Sequence, residues 1–527
     1  MTSYRQFVFI SFVLPVALIA FSLRWMISLN EPLWIDELHT AWSVDGPLDV
    51  VAGRAAEGNQ TPLYFWVEWL VCQQFGLTET WLRLPSALYG SLTAIAASLL
   101  VWNFRRSPTA ALTTGLLIAI EPTFLFYGSE ARPYALLHLL TLLQVLFFLR
   151  EIESCQAPIS PVHGQRNRIG LAILTASILW THLTAILLVL TELLFLLAFA
   201  RRLSIKRPLL LIAAGSLALL PLSWLAMDVF SKRQDWQSVS DSAVLIQQLW
   251  PTALICAVAP AAICWLSNWR QGGPSLDPLS EQRWIPWLAW PLTWGLTPII
   301  LLGLADMSGI APAAMSRYAQ VSSPAWPILC GVLLARIPAR GYRISAALIV
   351  LSLAMLLNGI GSSLLNDGTP GRYRYENWAA AVNLINSQGS TGPVFLFSNL
   401  IEDHQALNSG RATPQSDKER MAYLAFPATG IHKIKPGMTV IPRPTLQAGR
   451  FTRRDLAAVQ QNGGAWLLVR GDPRLTDVIS AELENGLRLP AGQSSRVEVW
   501  ELTNSRVYVA RLRIVSMEAD SSMPTSD

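Results

Sequence analysis

Runs of about twenty apolar residues recur through the first two-thirds of this chain and constrain its fold more than any other feature. Inside hydrocarbon every backbone N–H and C=O must find its partner within the protein, so such runs become spanning helices. Eleven segments fit, near residues 7–27, 84–103, 109–126, 134–149, 169–181, 183–200, 208–226, 246–267, 285–305, 318–335 and 344–361. The stretch from Ile169 to Ala200 is too long for one span and somewhat brief for two, and Thr181-His182 divides it. Charged residues are 14% of the 527, against roughly a quarter in soluble domains. A soluble enzyme with one anchor is excluded. The expected fold is a polytopic α-helical membrane protein with about 11 transmembrane helices.

Charge sets the orientation. The first segment is longer than the apolar core of a signal peptide and has no small-residue cleavage pattern before Trp34, so it reads as a signal anchor. With the N-terminus in the cytoplasm, alternate loops put Arg105-Arg106, Arg150, Arg166, Arg168, Arg201-Arg202, Lys206-Arg207, Arg270, Arg283, Arg336, Arg340 and Arg343 on the cytoplasmic face, as the positive-inside rule requires. The opposite loops carry the acidic residues, among them Asp36, Glu37, Glu68, Glu130, Asp235 and Asp241. The net charge of +5 therefore reports orientation, and no nucleic-acid partner is expected. Five cysteines without CxxC spacing define neither a disulfide framework nor a cysteine-based zinc site.

After Gly361 the character changes: residues 362–527 hold 18 of the 40 basic and 16 of the 35 acidic residues and contain no spanning run. The chain thus divides into a membrane part at 1–361, with a large first outer loop at 28–83, and a soluble domain at 362–527. An odd number of spans puts that domain on the extracytoplasmic side. Helical stretches at Glu376–Ser387 and Thr452–Gln461 alternate with apolar strands at Val394–Phe397, Trp466–Val469 and Val507–Ile514, predicting a small α/β domain with a frayed polar tail after Met517.

Loops as long as the first outer one usually carry function. It begins Trp34-Ile-Asp36-Glu37, adjacent carboxylates just past the bilayer, and continues into Thr61-Pro62-Leu63-Tyr64, where an amphipathic helix lies on the membrane surface. A carboxylate there can take a proton from a hydroxyl or amine nucleophile; equally, Asp36 can cap the next helix and Glu37 be a solvated first-turn residue. The next outer loop holds Glu130, Arg132 and Tyr134, either an interfacial ion pair or a phosphate site built on a guanidinium. Arg317-Tyr318 puts a cation on the outer side against the positive-inside trend, for phosphate ligation or for snorkelling to head groups. Arg83 is a weaker instance of the same kind. His182 interrupts an apolar stretch, as a packed histidine or a ligand. Glu192 is an intramembrane carboxylate with no evident role.

Taken in order, these pieces resemble the GT-C class of membrane glycosyltransferases, in the branch of protein O-mannosyltransferases and lipid A aminoarabinose transferases (glycosyltransferase family 39-like). Trp34-Ile-Asp36-Glu37 matches that branch's acidic pair, Thr61-Pro62-Leu63-Tyr64 and Leu82-Arg83-Leu84-Pro85-Ser86 its next pattern, and Tyr127-Gly-Ser-Glu130-Ala-Arg132-Pro-Tyr134 its YSxEARxY element. Thr181-His182 and Arg317-Tyr318 fall where bacterial members carry TH and RY. Two departures bear on donor selectivity: Leu183 replaces an aromatic and Glu121 a small polar residue. The resemblance covers roughly residues 1–340.

The resemblance implies transfer of a sugar, with inversion, from a polyprenyl-phosphate donor to a lipid, glycan or protein acceptor on the outer face of a bacterial cytoplasmic membrane. Asp36 and Glu37 would be the catalytic pair, with Asp36 the general base. Arg132, Arg317, His182 and Arg83 would bind the donor phosphate, while Glu130, Tyr134, Tyr64 and Tyr318 support or position the sugar. No cofactor is expected, since arginine already neutralises the leaving phosphate, although some GT-C enzymes use a divalent metal. The rival is a transporter or flippase for a lipid-linked or anionic substrate, which would put its charges at mid-membrane on broken helices in two related halves.

Overall fold

The computed structural model describes residues 2–156, 161–200, 205–233, 251–270, 278–309, 315–371, 373–389, 392–400, 414–445 and 450–516. Arg201-Arg202, Asp235, Asp241, residues 246–250 of the eighth apolar segment and the tail after Met517 lie outside them. From the N-terminus the helices run α1 (Thr2–Asn30), α2 (Ile35–Val44), α3 (Leu48–Glu57), α4 (Pro62–Phe75), α5 (Glu79–Arg105), α6 (Pro108–Ile120), α7 (Pro122–Gly128) and α8 (Tyr134–Gln156). The chain forms two units. One takes in Met1–Asn30, Gly46–Gln74 and Thr80–Gly371; the other takes in Glu31–Asp45, Phe75–Glu79 and Arg372–Asp527.

The first unit is helical. Six described helices are long and apolar enough to cross a membrane, and a bent pair, α6 with α7, makes a seventh if counted as one span. The sequence suggested one continuous segment at 109–126, but α6 and α7 meet at 62°. The cause is Pro122, which has no N–H to give the preceding turn. Glu121 caps the new helix, its carboxylate accepting from the Phe124 N–H at 3.1 Å and the Thr123 hydroxyl at 3.0 Å. At Thr181-His182 the helix Pro161–Thr181 does end, His182 is extended, and a 3-10 turn over Leu183–Ala185 leads into helix Ile186–Ala198. The tenth segment opens as a 3-10 helix over Ser316–Ser322 before the α-helix Ala325–Ala335.

Within this unit α1 carries Arg24, fully buried, which donates to the Ala20 carbonyl and the Ile118 carbonyl, each at 2.9 Å. Glycine makes room for it: a Cβ at Gly90 would sit 2.4 Å from Arg24 Nε, and one at Gly128 would sit 2.3 Å from it.

The second unit is built on a five-stranded sheet in the order β2-β1-β3-β5-β4, with β1 at Gly392–Phe397, β2 at Met438–Pro442, β3 at Gly464–Arg470, β4 at Gln493–Glu501 and β5 at Val507–Ser516. β1 pairs in parallel with β2 and β3, whereas β5 runs antiparallel to β3 and β4. β1 and β3 are central and buried on both faces, which is why their apolar residues run on without alternation, while β4 at the edge has no fully buried residue. Phe395, Phe397, Leu467, Val469 and Leu512 form one core face with Val459, Ile479 and Leu483 from the helices Arg453–Gln461 and Pro473–Gly486. Periodicity located three of the five strands; β2 and β4 are short or polar and gave no such signal. α2 packs within this unit, where His39 and Trp42 lie 5.1 and 4.9 Å, ring to ring, from Tyr423 on the helix Pro414–Thr429.

Candidate active site

The predicted site residues fall into two clusters, one in each unit. In the helical unit, α7 and the turn after it deliver Tyr127, Glu130 and Arg132, and Pro133 then launches α8 with Tyr134 at its start. All four side chains are buried. The Tyr134 ring lies 4.5 Å from that of Tyr127 and 5.2 Å from that of His182. Arg132, Arg317 and Glu130 are all within electrostatic reach of the Tyr134 phenol, so the 3-10 segment carrying Arg317 and the turn carrying Arg132 converge on one aromatic group. The Arg317 guanidinium sits 5.5 Å from the centre of the Tyr318 ring, a cation–π geometry.

His182 Nδ1 meets the Thr184 hydroxyl at 2.8 Å and the Thr184 N–H at 3.2 Å, which orients its ring and caps the 3-10 turn. Arg83 is fully buried and donates to the Ser28 carbonyl at 2.9 Å, tying α5 to the end of α1. Tyr64 is also fully buried. Its hydroxyl lies 3.1 Å from the Ser86 hydroxyl, which donates to the Arg132 carbonyl at 3.4 Å, so α4 braces the arginine turn through one hydrogen-bonded side chain. One turn beyond Tyr64, Glu68 has no exposed surface; burial pushes its carboxyl well above the ordinary range, tempered by Tyr64.

His138 was not singled out in the sequence, although it interrupts an apolar run as His182 does. It stands one turn after Tyr134, its Nε2 is 3.3 Å from Gln320 Oε1, and its ring is 6.3 Å from that of Tyr127. Among the described residues no group of three or more His, Cys, Asp or Glu side chains is placed to hold a metal ion.

The second unit holds the acidic pair on α2. Asp36 is half-buried, whereas Glu37 has no exposed surface. Glu37 accepts from the Trp34 N–H at 3.3 Å in a capping arrangement and faces Arg374 Nε at 3.7 Å. Adjacent in sequence, the two carboxylates thus stand in different surroundings, Glu37 turned inward to hold the helix start and Asp36 left with solvent access.

The family described as dolichyl-phosphate-mannose-protein mannosyltransferase matches residues 59–226, which include the elements at 61–64, 82–86, 127–134 and 181–182. No curated protein matches the chain significantly. Two solved structures share the fold. ArnT from Cupriavidus metallidurans in the apo state superposes with a TM-score of 0.50 at 16% identity, over 98% of this chain and 99% of that one. The archaeal oligosaccharyltransferase AglB from Archaeoglobus fulgidus, in complex with an inhibitory peptide and a dolichol-phosphate, superposes with a TM-score of 0.52 at 11% identity, over 99% of this chain and 75% of that one. Family match and fold agree on the resemblance drawn from the motifs, that of a GT-C glycosyltransferase in the mannosyltransferase and ArnT-like branch.

Proposed function

We propose that the chain transfers a sugar from a polyprenyl-phosphate donor to an acceptor at the outer face of a bacterial cytoplasmic membrane, through an eleven-span helical part at 1–361 and an extracytoplasmic domain at 362–527. The observation that carries this reading is the cluster of the helical unit, where Arg132 and Arg317, far apart in sequence, both act on Tyr134. Guanidinium groups are suited to a phosphate dianion, which they bind in a planar, bidentate fashion, and here one is buried, Arg132, and one half-buried, Arg317. The family match over 59–226 and the fold shared with a protein that binds a dolichol-phosphate support it.

In this reading Asp36 takes the proton of the acceptor hydroxyl or amine as its oxygen or nitrogen attacks the anomeric carbon. The bond from that carbon to the phosphate oxygen breaks, the configuration inverts, and polyprenyl phosphate leaves with its developing charge balanced by Arg132 and Arg317. His182 and Arg83 complete the donor-phosphate site, and Glu37 holds the first turn of α2. Glu130, Tyr134, Tyr64 and Tyr318 shape the sugar pocket.

Membranes from cells lacking the chain, supplied with Asp36→Asn or Arg132→Ala, test the reading. Each variant is expected to reach wild-type abundance, to lose transfer by roughly a hundredfold or more, and to let the polyprenyl-phosphate monosaccharide accumulate, as seen by mass spectrometry of extracted lipids. Undiminished transfer in both variants would refute it.

A further inference from the structure

In open α/β sheets ligands are received outside the carboxyl ends of the strands, where successive connections leave toward opposite sides. In this sheet that place lies between β1 and β3, since the chain leaves β1 for β2 on one side and leaves β3 for β4 and β5 on the other. What stands there is ionic. Arg470, the last residue of β3, donates through one terminal nitrogen to the carbonyls of Ser398 and Asn399 just past β1, at 3.3 and 3.4 Å, and through Nε to Glu376 Oε1 at 2.6 Å. Glu376 then turns its other oxygen to the Ile35 N–H and the Trp378 indole N–H, each at 2.9 Å.

Two residues earlier, Arg374 is fully buried, 2.7 Å from Glu31 and 3.7 Å from Glu37. Glu31 also accepts from the Tyr373 N–H at 2.6 Å. Ile35 and Glu37 flank Asp36. One is held by its backbone and the other by its side chain, and both anchors come from the segment 373–376. Of the four residues from Ile35 to Leu38, Asp36 is the one that keeps solvent access.

We propose that Arg374 and Glu376 are positioning residues, which lock the first turn of α2 onto the carboxyl end of the sheet and so fix the direction of the Asp36 carboxylate. The inference rests on the reading of Asp36 as general base. A buried ionic network is a poor way to gain stability, because apolar residues of similar volume often serve as well or better. What ion pairs and N–H contacts add is direction, and a base misplaced by about 1 Å loses on the order of a hundredfold in rate.

The test uses the full-length protein in membranes of cells lacking it, with the polyprenyl-phosphate sugar fraction extracted from those cells as titrated donor and the membranes' own acceptors. Glu376→Ala is expected to lower the maximal rate between about tenfold and a hundredfold, to leave the half-saturating donor amount unchanged, and to speed hydrogen exchange across residues 35–38. Glu376→Gln keeps an acceptor oxygen for the Ile35 N–H and is expected to recover most of the rate, which a general loss of packing would not allow. Arg374→Lys, which keeps the charge but not the fork, is expected to show the same kind of loss, and it carries the test if Glu376→Ala does not fold. Full rate in the folded Glu376→Ala or Arg374→Lys protein, beside an inactive Asp36→Asn, overturns the positioning role. So does a loss of rate that comes with a raised donor requirement and unaltered exchange. Full rate in Asp36→Asn instead overturns the general-base reading beneath it.

Discussion

Replacing Glu68 by glutamine should stabilise the protein, and by an amount that grows with pH. Glu68 is on α4 with no exposed surface, and burial holds its carboxyl well above the ordinary range. When α4 opens, the group reverts to an ordinary carboxylate of pKa about 4.3. The folded form therefore binds a proton that the open form releases. Stability from this group is full below the open-state value and falls as pH rises toward the raised folded value, by about 1.36 kcal/mol for each pH unit while the folded carboxyl stays protonated. Glutamine has the same shape and no proton to lose, so the variant escapes that slope.

Cys72, one turn further along α4, gives the readout. It is buried, and its thiol is pushed up to about 12, by burial first and by Glu68 second, so the closed form is unreactive. With the other four cysteines replaced, thiol labelling under conditions where reclosing is fast reports the opening equilibrium. The parent and Glu68→Gln proteins share the same thiol chemistry in the open form at any one pH. The ratio of their labelling rates, parent over variant, should thus rise as pH climbs above the open-state carboxylate value, by up to about tenfold for each pH unit. A ratio that stays flat as pH rises above the open-state value, or one that falls, would refute the claim that Glu68 is buried as the neutral acid.

Other substitutions probe the two units. Glu31→Ala leaves the fully buried Arg374 without its 2.7 Å partner. A cost of about 3–5 kcal/mol is expected, read as faster proteolysis within residues 372–516, and largely recovered when both residues become methionine. Burial alone would raise the Asp455 carboxyl, but hydrogen bonds from Arg443 and Thr452 outweigh it and hold the group below its ordinary value. Its contribution is present above the unfolded carboxylate pKa and lost as pH falls through the lowered folded value, so Asp455→Asn should flatten the acid loss of protease resistance while weakening the domain at neutral pH. Gly90→Ala and Gly128→Ala each put a methyl group against Arg24 Nε. Each should cost about 1–3 kcal/mol, measured as a lower midpoint of thermal aggregation in detergent.

A strand that is polar gives little hydropathy signal, and this set what could be read in advance. The strands at 394–397, 466–469 and 507–514 were legible because their buried apolar residues stand out from polar flanks; β4, polar and without a buried residue at the edge, was not. Thr181-His182 was recognisable as a break because a polar pair interrupts an apolar run. The 62° turn between α6 and α7 was not legible although Pro122 was in plain view, since proline within an apolar helix bends it in some contexts and not in others. Pro15 and Pro85 are carried inside α1 and α5 without a break.

The sequence by itself determined the apolar surroundings of this chain, its long apolar helices and the presence of an α/β domain, and it named candidates for the site, because hydropathy, periodicity and motif order are local and survive without coordinates. It also placed Asp36 and Glu37 side by side as one acidic pair. Only the tertiary structure separated them, enclosing Glu37 beside Arg374 and leaving Asp36 accessible. Only the tertiary structure brought Arg317 to the tyrosine that Arg132 also reaches, and joined Glu31 and Ile35 to a segment more than three hundred residues away. Burial and electrostatic contact belong to groups that meet in space, and nothing in their spacing along the chain specifies the meeting.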